Sequence, residues 1–128
     1  MRLLLDTHIW FWLATDIGRI GRRARQELTS AANELWLSPI SVWELLTLNA
    51  KGRVRFSGTP ETWLVRATQG IQEAPLTHDI ARVAVQVQLH RDPADRFLAA
   101  TAQVLELTLV TADEKLLGLG TIRTLANR

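Results

Sequence analysis

The stretch Leu3-Leu4-Leu5-Asp6-Thr7-His8-Ile9-Trp10-Phe11-Trp12-Leu13-Ala14 decides the fold. Three consecutive leucines that stop at a carboxylate read as a short, buried strand. The apolar run that follows reads as a helix over 7–14, so a strand feeds a helix with an acid at the junction. The pattern repeats outward from there. A more polar helix over 19–32 leads to a strand over 35–38 and a helix over 41–50 closed by Gly52. A helix over 60–68, a strand over 71–76 and a helix over 77–89 follow. The chain then reads as a long helix over 93–106, a strand over 108–110, a short helix over 112–117 and an edge strand over 121–123. Short apolar strands that alternate with amphipathic helices predict an α/β domain. Its centre is a mostly parallel sheet of four to five strands flanked by helices.

The chain of 128 residues fits one domain, taken as 1–128. With 47% hydrophobic residues it can bury a core without staples, and with no cysteine it has neither disulfides nor thiolate metal sites. No apolar run approaches the ~20 residues of a membrane span. Met1-Arg2-Leu3-Leu4-Leu5 begins like a secretory leader, but Asp6 and His8 interrupt it. The expectation is a soluble, cytoplasmic protein with no membrane partner. The sequence pI near 9.9 overstates the basic character, because the formal charge is only +2. Lys51 and Lys115 are the only lysines and tyrosine is absent, so little titrates between histidine and arginine. The cations are nearly all arginine, whose planar fork suits phosphate and carboxylate.

In an open parallel sheet, ligands bind beyond the carboxyl ends of the strands. Asp6 ends the first strand, Glu44 falls in the first turn of the helix after the second, Asp92 and Asp95 bracket Pro93, and Asp113 follows the fourth strand. Asp95 heads a stripe of Leu98, Ala99, Ala102 and Leu105, so its carboxyl points inward at the top of the core. Each acid also has a local explanation. Asp6 caps the helix from Thr7. Ser41-Val42-Trp43-Glu44 and Thr111-Ala112-Asp113-Glu114 match capping boxes. Asp92-Pro93-Ala94-Asp95 places Asp at N-cap and Pro at N1.

Their joint arrangement asks for more than caps. On a parallel sheet these helix starts converge on one edge. Like charges ~4 Å apart repel by about 4 kcal/mol at an effective dielectric of ~20. A divalent cation removes that repulsion. Hard carboxylate oxygens select Mg²⁺, with Mn²⁺ as a substitute, and no His-x-x-His or Cys set selects zinc. Metal-bound carboxylate sites orient and deprotonate water and stabilise a leaving oxygen, the needs of phosphodiester hydrolysis.

Leu3-Leu4-Leu5-Asp6-Thr7, Ser41-Val42-Trp43-Glu44-Leu45, Asp92-Pro93-Ala94-Asp95-Arg96-Phe97-Leu98-Ala99-Ala100-Thr101-Ala102 and Leu109-Val110-Thr111-Ala112-Asp113 together resemble the PIN-domain ribonucleases. The nearest likeness is to the VapC-like toxins of bacterial toxin–antitoxin pairs, and it runs in order along essentially the whole chain. The resemblance implies a Mg²⁺- or Mn²⁺-dependent endoribonuclease whose acidic quartet is Asp6, Glu44, Asp95 and Asp113. Asp6 and Asp95, then Asp113, would bind metal, and Glu44 would act through a water. Thr111 and Thr7 fall where hydroxyls accompany such sites. The resemblance also implies an RNA substrate, a homodimer and a small antitoxin partner. The alternative is a non-catalytic PIN-like module that binds RNA or a partner.

Several residues stay outside the quartet. Asp92 reads as the N-cap, with a place beside the metal as the alternative. Arg96 either steers phosphate or, more commonly for such an arginine, pairs with an acid. Glu114 reads as the N3 partner of Thr111 rather than a ligand. His8, His78 and His90 are scattered, and His8 reads as an ordinary helix histidine despite its closeness to Asp6. Trp10-Phe11-Trp12 reads as core or dimer packing, and Trp36, Trp43 and Trp63 as core. Arg19, Arg22 and Arg23, with Arg25, form a basic helix face that is either solvated or in contact with RNA or antitoxin. A phosphoryl-relay receiver lacks its acidic pair and late lysine here. A haloacid-dehalogenase-like phosphatase lacks its second Asp, since His8 stands there. No P-loop or G-x-G-x-x-G supports a nucleotide-binding module.

Overall fold

The computed structural model describes residues 1–89 and 92–128, so His90 lies outside the described residues. The elements run β1 (Arg2–Leu5), α1 (Thr7–Thr15), a 3₁₀ turn (Ile17–Arg19), α2 (Arg22–Leu28), β2 (Glu34–Leu37), α3 (Pro39–Ala50) and α4 (Pro60–Ala67). They continue with β3 (Gln72–Glu73), α5 (His78–Ala84), α6 (Pro93–Val104), β4 (Thr108–Thr111), α7 (Glu114–Leu117) and β5 (Arg123–Ala126). The five strands form one sheet in the order β3-β2-β1-β4-β5, and every pairing is parallel. The expected α/β architecture holds.

β1 lies at the centre, and its side chains alternate between two cores as strand geometry requires. Leu3 and Leu5 join Ile9, Trp10, Leu28, Leu45, Trp63 and Val110 on one face. Leu4 joins Leu98, Ala99, Ala102, Leu109 and Leu116 on the other. The first core is aromatic. The second is leucine-rich, and Ala99 and Ala102 are the small residues that α6 turns toward it. Trp10 is buried among the aromatics and keeps its polar handle by donating Nε1–H to the Ala67 carbonyl at 2.9 Å. Strand order reverses between β1 and β4, so the crevice beyond their carboxyl ends is the expected place for a ligand.

Several elements differ from the sequence reading. The helix expected over 19–32 breaks at Ile20–Gly21, because Ile20 turns into the core and Gly21 meets the end of the chain. A Cβ on Gly21 would stand 2.0 Å from the Arg128 carbonyl carbon. Arg19 therefore sits in the 3₁₀ turn, paired with Asp16 at 3.3 Å, and does not share a helix face with Arg22 and Arg23. β3 keeps only two residues. Pro75 removes the next backbone donor but one, and the ladder ends with Ala74 N–H on the Leu37 carbonyl. α5 stops at Ala84, before Val87 and Leu89 turn in to pack on the core around α6. α6 stops at Val104. Glu106 then takes φ of 55° and Leu107 N–H reaches the Ala102 carbonyl at 2.9 Å, a Schellman close. β5 lies later than expected, because its register with β4 runs from Thr108↔Arg123 to Thr111↔Ala126. Trp43 is no core residue, since it is 61% exposed on α3.

Candidate active site

Asp6 is the first residue beyond β1, where the central strand meets the crevice. Its own N–H donates to the Val110 carbonyl of β4 at 3.0 Å, which continues the sheet by one rung. Its carboxylate caps α1 by accepting Thr7 N–H on Oδ1 at 2.7 Å. Its Oδ2 accepts the Thr111 hydroxyl at 2.6 Å. The capping explanation and the cleft position both hold, on different oxygens.

Thr111 joins two acids. Fully buried at the end of β4, it donates to Asp6 and accepts Asp113 N–H on the same hydroxyl at 3.0 Å. It does not start a capping box. Asp113 is the N-cap of α7 and accepts Lys115 N–H at 2.9 Å, while Glu114 is exposed and outside the cluster. The other proposed box fails likewise. α3 starts from Ser38, whose hydroxyl accepts Ile40 N–H at 3.1 Å, with Pro39 following. Ser41 is thus inside the helix and Glu44 lies in its second turn.

Asp92 caps α6 by accepting Ala94 N–H at 3.0 Å, and Asp95 stands half-buried one turn in. Charge coupling shows how these acids sit. Burial pushes the Asp95 carboxyl up to about 7, and the charges of Asp92, Asp6, Asp113 and Glu44 add to it in that order. Asp95 is thus within electrostatic reach of the rest of the quartet and of Asp92. Burial also raises Asp6 above the ordinary carboxylate range. The Thr111 and Thr7 hydrogen bonds and the nearby His8 oppose that shift, and Asp113 adds to it. Glu44 is raised by burial and by Asp92 and Asp6, against Thr7 and His8. The Thr7 hydroxyl stands close enough to ease the Glu44 charge without closing a hydrogen bond.

Among the described residues no guanidinium or ammonium pairs with these acids. Among the described residues the only ion pairs are Arg19–Asp16 and Arg82–Asp79. Arg96 makes no ion pair among the described residues. Its Nε–H donates to the Leu89 carbonyl at 2.6 Å and so ties Leu89 to α6. His8 is the residue that sequence reasoning passed over. It is exposed beside Trp12, and its charge reaches both Asp6 and Glu44. Its position in the first turn of α1, two residues past Asp6, was the available signal. Among the described residues the hydroxyls of Thr7 and Ser41 are buried with no partner.

The donor set fits a hard divalent cation by chemistry: all-oxygen ligands, mutual repulsion, and an unpartnered buried Thr7 hydroxyl near Glu44. Among the described residues no three carboxyl or imidazole groups converge on one point as direct ligands. Mg²⁺ is suited to that arrangement, because it keeps several waters and takes one or two carboxylates directly.

Residues 3–120 match the family described as PIN domain. The chain belongs to the PIN-domain family. This PIN domain is 31% identical over 116 residues to Ribonuclease VapC22 of Mycobacterium tuberculosis (strain ATCC 25618 / H37Rv), covering 89% of this chain and 88% of that one. It is a VapC-like member. Its fold matches VapBC2 from Rickettsia felis, bound to a DNA fragment from their promoter, with a TM-score of 0.75 at 16% identity over 98% of both chains. It also matches DNA-bound VapBC from Salmonella typhimurium with a TM-score of 0.71 at 18% identity, covering 100% of this chain and 99% of that one.

Proposed function

We propose that this PIN domain is a Mg²⁺- or Mn²⁺-dependent endoribonuclease, the toxin of a toxin–antitoxin pair, which hydrolyses RNA phosphodiesters at the Asp6, Glu44, Asp95 and Asp113 cleft. The carrying observation is that half-buried Asp95, with no ion pair among the described residues, feels the charges of Asp92, Asp6, Asp113 and Glu44 and is pushed to about 7. A bound divalent ion would supply Lewis acidity that lowers the pKa of water and stabilises the leaving oxygen.

The chain's own residues do the rest. Asp6 and Asp95, with Asp113 next, would hold the cation, with waters completing its shell. Thr111 keeps the Asp6 carboxylate aimed by fixing Oδ2, so the ligand is preorganised rather than gathered on binding. Glu44, in the second turn of α3, orients the attacking water and takes its proton. Water's oxygen then bonds to phosphorus in line as the bond to one ribose oxygen breaks, that oxygen leaves as a hydroxyl by taking a proton from solvent, and no covalent enzyme intermediate forms. The 31% identity to a ribonuclease supports the activity, and the likeness to VapBC complexes supports an antitoxin partner. A homodimer is expected from the family resemblance alone. No helix among the described residues is long and apolar enough to cross a membrane.

RNA cleavage with Mn²⁺ and with chelator tests this. Asp6→Asn and Asp95→Asn are each expected to lower the metal-dependent rate by about 10²-fold or more. Full metal-dependent cleavage by Asp95→Asn would overturn the assignment. Binding of RNA without cleavage under any metal condition would leave the non-catalytic module.

A further inference from the structure

The basic residues before and within α2 do not form one helix face, yet the fold carries them to the edge that holds the acids. Asn127 makes the connection. Its N–H donates to the Thr111 carbonyl at 3.0 Å, its Oδ1 accepts Gly21 N–H at 2.8 Å, and its Nδ2 donates to the Arg19 carbonyl at 3.1 Å. The same Thr111 holds Asp6 and Asp113 through its hydroxyl. One asparagine therefore pins the start of α2 beside the catalytic edge of the sheet.

α2 presents only polar groups outward there. Arg22, Arg23, Arg25 and Gln26 are exposed, while Ala24 and Leu28 are buried in the core. Arg19 is spent on Asp16, but Arg22, Arg23 and Arg25 make no ion pair among the described residues. Three unpaired guanidinium groups beside a repulsive acidic cleft make an electrostatic contrast suited to a polyanion with a reactive centre. A protein partner would bring an apolar anchor, and this face offers none. Phosphate is what the arginine fork matches without one.

We infer that Arg22, Arg23 and Arg25 form a phosphate-binding track that leads the RNA backbone into the Asp6–Asp113 cleft. The inference rests on the ribonuclease reading and adds the path of the substrate. The track contributes sequence-independent affinity and orients the strand, while the choice of cleavage site lies elsewhere. It acts on KM and on salt dependence, and leaves the chemical step to the acids.

The test compares two double variants of the full chain, each losing two positive charges. Arg22→Ala/Arg23→Ala empties the track. Arg53→Ala/Arg55→Ala removes two exposed arginines that follow α3, whose twelve residues carry the chain away from the carboxyl edge. Binding of a short fluorescein-labelled single-stranded RNA is read by anisotropy with chelator present, across a salt titration. Arg22→Ala/Arg23→Ala is expected to weaken binding about fivefold per arginine near 0.1 M salt and to flatten the log Kd–log salt slope by about 0.7 for each phosphate it no longer neutralises. With Mn²⁺ present its kcat is expected to hold while KM rises. The far pair should leave the slope unchanged. Equal losses from both pairs would reduce the effect to net charge and overturn the track. Unchanged RNA affinity in Arg22→Ala/Arg23→Ala, with normal cleavage, would overturn the track and leave the ribonuclease reading standing. Unchanged RNA affinity with a loss of poly-glutamate binding would assign the patch to an acidic protein. No RNA binding by the unaltered protein would overturn both.

Discussion

At the amino edge of the sheet, Arg2 Nη1 donates to the Leu105 carbonyl at 3.0 Å and Arg123 Nη2 to the Glu106 carbonyl at 2.8 Å. Glu34 there accepts from Trp36 and from Gln72 across two strands. At the carboxyl edge of the same strands, Asp95 feels the charges of Asp6, Glu44, Asp92 and Asp113, and no arginine or lysine among the described residues is ion-paired with them. The first edge spends its polar groups on closing the fold. The second leaves charge uncompensated, and its hydrogen bonds aim carboxylates rather than neutralise them. Locally unfavourable chemistry in an otherwise consistent fold marks a functional edge.

Thr111→Val breaks that contrast most severely. The change keeps the shape of a fully buried side chain but leaves Asp6 Oδ2 without its donor and Asp113 N–H without its acceptor. The expected loss is about 2–3 kcal/mol in urea or thermal unfolding, with cleavage reduced by about tenfold or more through a misaimed Asp6. Thr111→Ser should recover most of both. Truncating exposed Arg123 to Ala at the opposite edge should stay within about 0.5 kcal/mol. Equal losses at the two edges would mean that Thr111 serves packing only.

Asp95→Asn sharpens the comparison by its sign. The folded state holds the Asp95 proton more tightly than an ordinary Asp near 3.8, since its carboxyl sits at about 7. Stability is therefore fullest when Asp95 is protonated, falls as pH rises from the unfolded value toward 7, and is lowest above it. The Asn variant escapes that penalty. Without metal it should melt higher than the unaltered protein at pH 8, and the gap should close by about pH 4. Mn²⁺ should raise the unaltered midpoint by mass action and move the variant less. A variant that melts lower at pH 8 would show Asp95 to be a stabilising cap.

Much of this was legible in the sequence because Asp6 and Asp113 sat at strand-to-helix junctions and Glu44 on the helix after β2, while Asp92 and Asp95 open a helix that follows another helix. Junctions in a parallel sheet share an edge, so these motifs pointed to one cleft. Local capping rules misled where two grammars overlap. Ser41-Val42-Trp43-Glu44 spells a capping box, but Ser38-Pro39 offers a better start one turn earlier, and Pro at N1 decides it. Thr111 spells another, yet a strand residue beside Asp6 has a stronger use for its hydroxyl. Trp43 failed for a different reason. Period and composition assign an apolar residue to a core, but they do not tell which side of a helix has a neighbour. The break at Gly21 depends on a contact with residues more than a hundred positions later, which no local window holds.

The smallest expected effect belongs to the amino edge, and it asks whether that edge is as fully settled as its hydrogen bonds suggest. Glu106 is the one non-glycine residue with positive φ among the described residues, at 55°, and it closes α6 at the position where glycine is usual. An L side chain there is strained by about 1 kcal/mol relative to glycine, offset in part by the greater freedom of glycine in the unfolded chain. The backbone carbonyl that receives Arg123 is kept by any residue, so Glu106→Gly removes strain without removing that hydrogen bond. The variant should gain about 0.5 kcal/mol, roughly 2 °C in a thermal scan, with cleavage unchanged. A gain at this edge beside losses from Thr111→Val would show that each edge departs from the stablest sequence, but only the carboxyl edge does so for its chemistry. A loss from Glu106→Gly would instead mean that the Glu106 side chain itself helps to hold the end of α6.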